Sequence, residues 1–521
     1  MDSETTHHPK PARGLNFWMS FVSLCTALAL FALELTSVST ALPTIVDDLH
    51  TSEFAWIGAS YALSSTAFLP LSGRLAQIFG RKPTLISAVL IFAIGSALCG
   101  AAVSQSMMLI GRTVQGVGGG AIVALGDILL GDLVPLRDRG LFFGLLGLTW
   151  SIAAASGPVI GGSLASAGAW RWIFYLNLPL CGVSILLSAV FLHLRSPNIP
   201  IREGITRMDW SGNFLVVAGS TLFAIAITWG GVRYAWDTAH VLVPLCLGIV
   251  SLVAFFLYEG YMATEPIVPF LLMSNRTSAS GYLQDFISPV VVLAAVYFIP
   301  IYYQGCKDSS PLTSGVQMLG FASISPASIV AGVTVVATQK YRPSLWFGWC
   351  LTIVGTVLIS TVHADTPSAV MIGYTIVTGV GAGFVYALAQ FPVQAPLPVT
   401  ENARSLAFFA FLRAFSSIWG ITIGNTILQN ALTSRLPAEF LAQFPDGVSL
   451  AYTIIPEIPQ LAQPLKDQVR VAFADSLQLL WKIMAGLAGA GLFVSLFMQE
   501  VPMHAITDED WAAEEATKEQ T

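Results

Sequence analysis

The chain has 521 residues, of which 55% are hydrophobic and 10% are charged, and its mean hydropathy is +0.71. A soluble domain of this size needs a charged surface, so this composition excludes a cytosolic enzyme, a secreted disulfide scaffold and a disordered protein. The net charge of -6 also argues against a nucleic-acid-binding protein, which would need a basic face. A polytopic membrane protein remains, provided that the apolar residues form spans of about 20.

Apolar stretches predict fourteen membrane helices and therefore an all-α membrane protein. In chain order the predicted spans are 17–42, 54–73, 84–103, 107–131, 141–165, 172–192, 211–230, 241–262, 281–304, 314–336, 344–361, 368–391, 405–430 and 478–498. The tenth span is the least apolar, because Ser323, Ser325 and Ser328 fall inside it. The first apolar run is long and lacks a small-residue cleavage site, so we expect a membrane span there and not a cleaved signal peptide.

The basic residues predict the orientation of these spans. With both termini in the cytoplasm, the inner segments hold most of the 24 Lys and Arg residues, as the positive-inside rule requires. The sequon Asn275-Arg276-Thr277 is then cytoplasmic, and we expect it to be unglycosylated. The expected location is the cell membrane, with a vacuolar membrane as the alternative.

The chain also resembles itself. Residues 115–125 align with residues 378–388, and the same offset takes Gly157 to Gly420 and Gly161 to Gly424. Each half then has six spans, and spans seven and eight are an inserted pair. Two parallel six-span halves suit a transporter that rocks about a site at the membrane midplane.

This repeat predicts the domain organisation. The predicted parts are a cytoplasmic tail (1–16), an N-terminal half (17–192), a linker with the inserted helices (193–262), a C-terminal half (263–498) that includes an outer loop (431–477), and an acidic cytoplasmic tail (499–521).

The segment 73–83 joins spans two and three and contains two glycines and three basic residues. These residues are Gly73, Arg74, Gly80, Arg81 and Lys82. The glycines allow tight backbone geometry, and the cations can bind helix ends or anionic lipid. Asp132, at the inner end of span four, is a candidate partner for Arg81. Two interpretations stay open, which are a latch for one of two rocking states and an ordinary positive-inside loop.

Span five carries small residues at every fourth position, which are Ala153, Gly157 and Gly161. Such a stripe permits close helix contact, and Pro158 can bend the helix because it removes a backbone hydrogen bond. Gly162 completes the pattern Gly-Pro-x-x-Gly-Gly. A plain packing role and a conformational role are both compatible with this pattern.

In their order and span placement, these motifs resemble the major facilitator superfamily, and specifically its fourteen-span drug:proton antiporters of the fungal toxin and secondary-metabolite type. The other segments that carry the resemblance are Leu33–Thr36, Leu109–Gly116 and Trp170–Pro179. The resemblance implies the major facilitator fold and proton-coupled export. One departure is Gln77, where the family usually has an acid, so a latch that depends on that carboxylate is weakened or rebuilt here.

Glu34 in span one and Arg112 in span four are the clearest charges inside the predicted membrane region. A charge at the bilayer centre costs at least about 2.5–3.5 kcal/mol, so such residues are usually functional or paired. Both lie toward the outer ends of their spans, at depths that let long side chains meet. We hypothesise that Glu34 couples protons to transport and that Arg112 tunes it, and a static ion pair is the alternative. The resemblance supports an acid at this place in span one, more often Asp than Glu.

A few further polar residues are candidates for a transport cavity. They are Gln115, Asp127, Asp285, Gln390, Gln394, Arg413 and Asn425. Because they are sparse, the expected substrates are amphipathic or hydrophobic small molecules. A carrier of the same fold for vacuolar basic amino acids or siderophores is the alternative, although it would need a more polar cavity.

The sequence predicts no enzyme, no metal and no cofactor. The seven histidines fall in tails, loops or span ends, no Gly-x-Ser-x-Gly occurs, and the six cysteines form no CxxC pair. The expected partners are a small-molecule substrate, protons and the lipid bilayer, with no nucleic acid, and we expect a monomer.

Overall fold

The computed structural model describes residues 14–49, 55–194, 203, 208–230, 234–263, 268, 271–309, 311–443, 454–455 and 457–503. Residues 1–13 of the predicted N-terminal tail and residues 504–521 of the predicted acidic tail lie outside this described part. Within the described ranges, the named secondary-structure elements are all helices.

Fourteen long helices make up most of the described chain. They are α1 (Leu15–Asp48), α2 (Ala55–Phe79), α3 (Arg81–Gly100), α4 (Gln105–Leu133), α5 (Arg139–Ser166), α6 (Asn177–Phe191), α7 (Trp210–Trp229), α8 (Ala239–Tyr261), α9 (Arg276–Lys307), α10 (Ile324–Thr338), α11 (Arg342–Ile359), α12 (Ser368–Leu388), α13 (Asn402–Arg435) and α14 (Leu465–Ser495). A short helix, Trp172–Tyr175, precedes α6. The helix Pro311–Gln317 and the 3-10 turn Met318–Ser323 precede α10.

Among the described residues, 13 helical stretches are long and apolar enough to cross a membrane. The helix α2 is not among them, but it packs between α4 and α13 as a member of the bundle. The prediction of an all-α membrane protein is therefore confirmed, and the expected fourteen spans fit the fourteen long helices.

Several helix ends differ from the sequence prediction, and two places show it most clearly. The segment 73–83 is helical on both sides of Gly80, because α2 continues to Phe79 and α3 begins at Arg81. The helix α14 begins at Leu465, well before the predicted span at 478. The reason is the same in both cases, since hydropathy marks the most apolar part of a helix while good helix formers continue it into more polar sequence.

The same helix pairs recur in the two halves. In the first half α1 packs on α5 and α6, α2 packs on α4, and α3 packs on α4 and α6. In the second half α9 packs on α13 and α14, α10 packs on α12, and α11 packs on α12 and α14. The inserted helices α7 and α8 pack on each other, and α7 also contacts α2 and α13. The bundle is thus two six-helix halves with an inserted pair.

Matching glycines let these pairs approach closely. A Cβ atom on Gly118 of α4 would lie 2.6 Å from the carbonyl oxygen of Ala88 in α3. A Cβ atom on Gly381 of α12 would lie 2.7 Å from the carbonyl oxygen of Gly348 in α11. These two glycines occupy equivalent positions in the aligned segments 115–125 and 378–388, so the sequence repeat has a packing cause.

The two halves meet at the end of the bundle where α1 begins, which we call the N-terminal face. Gly140 of α5 lies so close to α10 that a Cβ atom on it would be 2.9 Å from Cα of Gly332. Nearer the middle of the bundle, the Ser151 and Ser325 hydroxyls hydrogen-bond across the same helix pair. The halves are therefore closed against each other at the N-terminal face.

Candidate functional site

Glu34 and Arg112 form a fully buried ion pair inside the N-terminal half. Arg112 of α4 donates from Nη1 to Oε1 of Glu34 in α1, and the two side chains are 2% and 0% exposed. Nε of Arg112 donates to the carbonyl oxygen of Ile57 at 2.9 Å. The guanidinium carbon lies 4.4 Å from the centre of the Tyr61 ring. The pair therefore ties α1 and α4 to α2.

Neutral side chains complete this network. Asn177 of α6 donates to Oε2 of Glu34 at 2.6 Å, so both carboxylate oxygens have partners. Gln115 accepts from Arg112 at 2.8 Å and donates to the Ser96 hydroxyl at 2.7 Å. The structure places Gln115 in this buried network, and its role in a cavity stays a prediction. Full pairing explains how the half tolerates two buried charges.

Sequence reasoning missed Asn177 and Ser96. Asn177 belongs to the segment Trp170–Pro179, which carried the family resemblance, but no role followed from the residue itself. The usable signal was a lone amide in an apolar span, which must find a partner when it is buried.

A second ion pair, with a buried carboxylate, lies in the C-terminal half. Arg413 of α13 donates from Nε to Oδ1 of Asp285 in α9 at 2.9 Å, and Nη2 lies 2.9 Å from the same oxygen. The guanidinium carbon is 4.2 Å from the centre of the Tyr386 ring and 4.4 Å from that of Phe409. The Tyr386 carbonyl oxygen also accepts from Nη2 at 3.3 Å. Sequence analysis named both charged residues but did not pair them.

Arg139 links the two halves beside this pair. It begins α5, is fully buried, and donates to the Gln394 side chain of the C-terminal half. It also donates to the carbonyl oxygens of Gly131 and Val134 at 2.7 and 3.1 Å. Asp127 of α4 is partly exposed and interacts electrostatically with both Arg413 and Arg139. Sequence analysis assigned no role to Arg139.

The segment 73–83 is anchored within the N-terminal half. Arg81 places Nε 2.9 Å from Oδ2 of Asp132, and both side chains are buried. Its Nη1 donates to the carbonyl oxygen of Ala76 at 2.8 Å. Lys82 donates to the carbonyl oxygen of Ala189 in α6 at 2.6 Å. The structure thus brings Arg81 and Asp132 together, while the latch role stays a prediction.

Two glycines shape the same segment. Gly80 has a φ of 92°, a left-handed conformation that side chains disfavour, and it lets the chain turn between α2 and α3. Gly73 faces the C-terminal half, because a Cβ atom on it would overlap the Ala407 side chain of α13. Any residue larger than glycine at position 73 would push the halves apart.

Gln77 joins the halves where the family usually has an acid. Its Oε1 accepts from Arg74 and from Nε of Arg404 in α13, both at 3.2 Å. Arg404 also pairs with Glu401 at 3.2 Å. The neutral amide therefore still connects α2 to α13, and the charge that balances Arg404 comes from Glu401 of its own half.

The remaining predicted motif positions lie in α5. Gly157 packs on α1 near Glu34, since a Cβ atom on it would lie 3.0 Å from the backbone nitrogen of Ser37. Gly161 is buried, whereas a Cβ atom on Gly162 would meet nothing within 4 Å. The side chain of Pro158 lies outside what the structure describes.

The last two predicted cavity residues differ in exposure. Gln390 is buried and donates to the carbonyl oxygen of Ala387 at 3.1 Å. Asn425 of α13 is partly exposed. Neither belongs to the two ion-pair networks.

Comparison with known proteins gives one consistent result. The family model of the Major Facilitator Superfamily matches residues 22–421. The "Efflux pump FUS6" of Gibberella fujikuroi is 36% identical over 95% of this chain and 91% of its own length. The "MFS-type efflux pump LUC4" of a Fusarium species is 34% identical over 97% of this chain and 91% of its own length. The "MFS-type efflux pump MMF1" of Pseudozyma antarctica is 34% identical over 99% of this chain and 98% of its own length.

Solved structures share the fold. The human organic anion transporter MFSD10 covers 93% of this chain, over 100% of its own chain, with a TM-score of 0.58 and 14% identity. The proton:xylose symporter XylE covers 85% of this chain, over 95% of its own chain, with a TM-score of 0.53 and 14% identity. At this identity the likeness concerns the arrangement of helices alone.

Proposed function

The chain belongs to the Major Facilitator Superfamily, and we propose that it exports amphipathic or hydrophobic small molecules, such as toxins or secondary metabolites, in exchange for protons. Membership makes it a multi-pass membrane transporter and not an enzyme. Relatives named as efflux pumps align with it over almost their whole length, which supports export as the direction. The sparse polar residues of the spans support an apolar cargo.

The buried pair of Glu34 and Arg112 is the observation that carries the proton-coupling proposal. Arg112 stabilises the ionised carboxylate, whereas complete burial favours the neutral acid, so a small change in surroundings moves a proton on or off. A protonated Glu34 binds the guanidinium less strongly. Arg112 still keeps the Ile57 carbonyl and the Tyr61 ring, so the loosened contact is the one between α1 and α4.

The closed N-terminal face supports alternating access as the transport mode. With both termini cytoplasmic, this conformation is the one closed toward the cytoplasm. Opening toward the cytoplasm must separate Gly140 from Gly332 and break the hydrogen bond between Arg139 and Gln394. It must also break the bond between Arg404 and Gln77.

The cell membrane is the proposed location, with the vacuolar membrane as the alternative, and we propose that the transporter works as a monomer. The contact of Arg81 with Asp132 would hold the end of α2 in place as the halves move, which is the proposed latch role of the segment 73–83.

Export from cells tests the proposal. Cells expressing the chain are loaded with a panel of hydrophobic compounds, and efflux is followed with and without a proton uncoupler. The variants are Glu34→Gln and, as a matched control, Glu439→Gln, whose side chain is exposed. We expect uncoupler-sensitive efflux by the parent and by Glu439→Gln, and no coupled efflux by Glu34→Gln at equal expression. Export that resists the uncoupler, or normal export by Glu34→Gln, would overturn the proposal.

A further inference from the structure

The C-terminal half has a buried carboxylate that the mechanism above does not use. Asp285 of α9 is 1% exposed and pairs with Arg413 of α13. We propose that Asp285 is a second proton-carrying carboxylate of this transporter, loaded while the N-terminal face is closed and unloaded when that face opens. The inference rests on the proposed proton-driven export and adds a second coupling site to it.

The two buried carboxylates differ in how completely they are paired. In Glu34 each oxygen accepts from a separate side chain, Arg112 or Asn177. In Asp285 both nitrogens of Arg413 converge on Oδ1, while Oδ2 is buried and has no hydrogen-bond partner among the described residues. An ionised oxygen left buried without a donor is costly. Asp285 is therefore the carboxylate of the two that gains more by binding a proton.

Arg413 remains in place when Asp285 becomes neutral. Its guanidinium lies between the rings of Tyr386 and Phe409, and the Tyr386 carbonyl oxygen accepts one of its N–H groups. Protonation adds one proton to Oδ2 and breaks no covalent bond, while Oδ1 still accepts from Arg413. The two aromatic rings thus continue to stabilise the Arg413 cation, and the proton can leave again without any other group reacting.

The two pairs lie near opposite ends of the bundle. At roughly 1.5 Å per residue, Asp285 is about 14 Å from the start of α9 at the N-terminal face. By the same rise, Arg112 is about 10 Å from the start of α4 at the other face. Arg413 is 18% exposed, and Gly131 of α4 packs on the same helix, so separating the halves would admit water to this pair.

Few other ionisable groups surround Asp285. From α13 it faces Arg413, from α4 the carboxylate of Asp127 acts on it, and Tyr386 of α12 and Tyr282 of its own helix are the nearby phenols. The face of α14 that packs on this part of α9 is apolar, with Leu487 and Ala488 at the contact. Arg139 acts on Asp127 from the other side. The protonation of Asp285 therefore depends mainly on the charges of Arg413 and Asp127.

The test is the number of protons moved per substrate molecule. The full chain is reconstituted in proteoliposomes, with a compound that the cell assay identifies as exported, and proton flux and substrate flux are recorded together. The variant is Asp285→Asn, and Asp308→Asn, just past the far end of the same helix, is the matched control. We expect Asp285→Asn to lower the proton-to-substrate ratio about twofold and to flatten the pH dependence of transport, whereas Asp308→Asn keeps the parent ratio.

A purely structural role for Asp285 would lower the transport rate and leave the ratio unchanged, and that result would overturn the inference. If Asp285→Asn does not fold, the double variant Asp285→Asn/Arg413→Gln removes both charges and leaves none buried alone. The same twofold fall in the ratio supports the inference, and an unchanged ratio contradicts it. A parent protein without substrate-linked proton flux would instead refute the proposed function itself.

Discussion

The glycine contact between α5 and α10 offers a direct way to shift the conformational balance. In Gly140→Ala the new Cβ atom would lie 2.9 Å from both Cα and the carbonyl oxygen of Gly332. Both are backbone atoms, so no side chain can rotate away and the halves must separate. Overpacking of this kind typically costs about 1–3 kcal/mol. If the whole cost destabilises the closed state and not the open one, it raises the open-to-closed ratio by about 5–150-fold.

Gly147→Ala is the matched control, because it lies on the same helix and a Cβ atom there would meet nothing within 4 Å. Both substitutions exchange a helical glycine for alanine, but only Gly140→Ala adds an atom against the other half. Spin labels at Arg137→Cys and Lys340→Cys, two exposed positions at the N-terminal face, report the separation by pulsed EPR.

For this measurement the exposed Cys246 and Cys350 and the partly exposed Cys25 are replaced in all proteins. We expect a short distance in the parent and in Gly147→Ala, and a second, longer distance in Gly140→Ala. If Gly140→Ala and Gly147→Ala gave the same distance distribution, the claim that this contact closes the N-terminal face would be wrong.

Two further predictions concern stability. Asp132→Asn leaves the buried Arg81 without its carboxylate, so we expect the free energy of unfolding to fall by about 3–5 kcal/mol. The melting temperature of the purified protein should then be clearly lower. An unchanged melting temperature would contradict the role of this pair as an anchor. Gly118→Ala would place a Cβ atom 2.6 Å from the carbonyl oxygen of Ala88, so we expect the free energy of unfolding to fall by about 1–3 kcal/mol. In the control Gly126→Ala, on the same helix, the new Cβ atom meets nothing within 4 Å, so stability is kept or raised. Equal melting temperatures for the two alanine variants would contradict the packing account of α3 and α4.

The fold followed from the sequence because a bilayer demands long apolar helices, and because the repeat at Gly118 and Gly381 reflects real helix packing. Helix ends were harder to place. The helices α2 and α14 continue past their apolar parts, and hydropathy does not register a helix that continues into more polar sequence.

The contacts of the candidate site also differ in how far the sequence could predict them. The contacts of Glu34 with Arg112 and of Arg81 with Asp132 could be foreseen, because a few buried charges of opposite sign must find one another. The bond between Arg139 and Gln394 could not be foreseen. It joins residues of different halves that are 255 positions apart in the chain.

Proton coupling through Glu34 is the central claim, and proton flux evoked by substrate tests it most directly. Proteoliposomes containing the chain, with a pH-sensitive dye inside, receive a substrate gradient and no imposed proton gradient. We predict that protons move against the direction of substrate in the parent and that this flux is absent in Glu34→Gln. Substrate movement by the parent without any proton flux, or an undiminished proton flux in Glu34→Gln, would contradict the account.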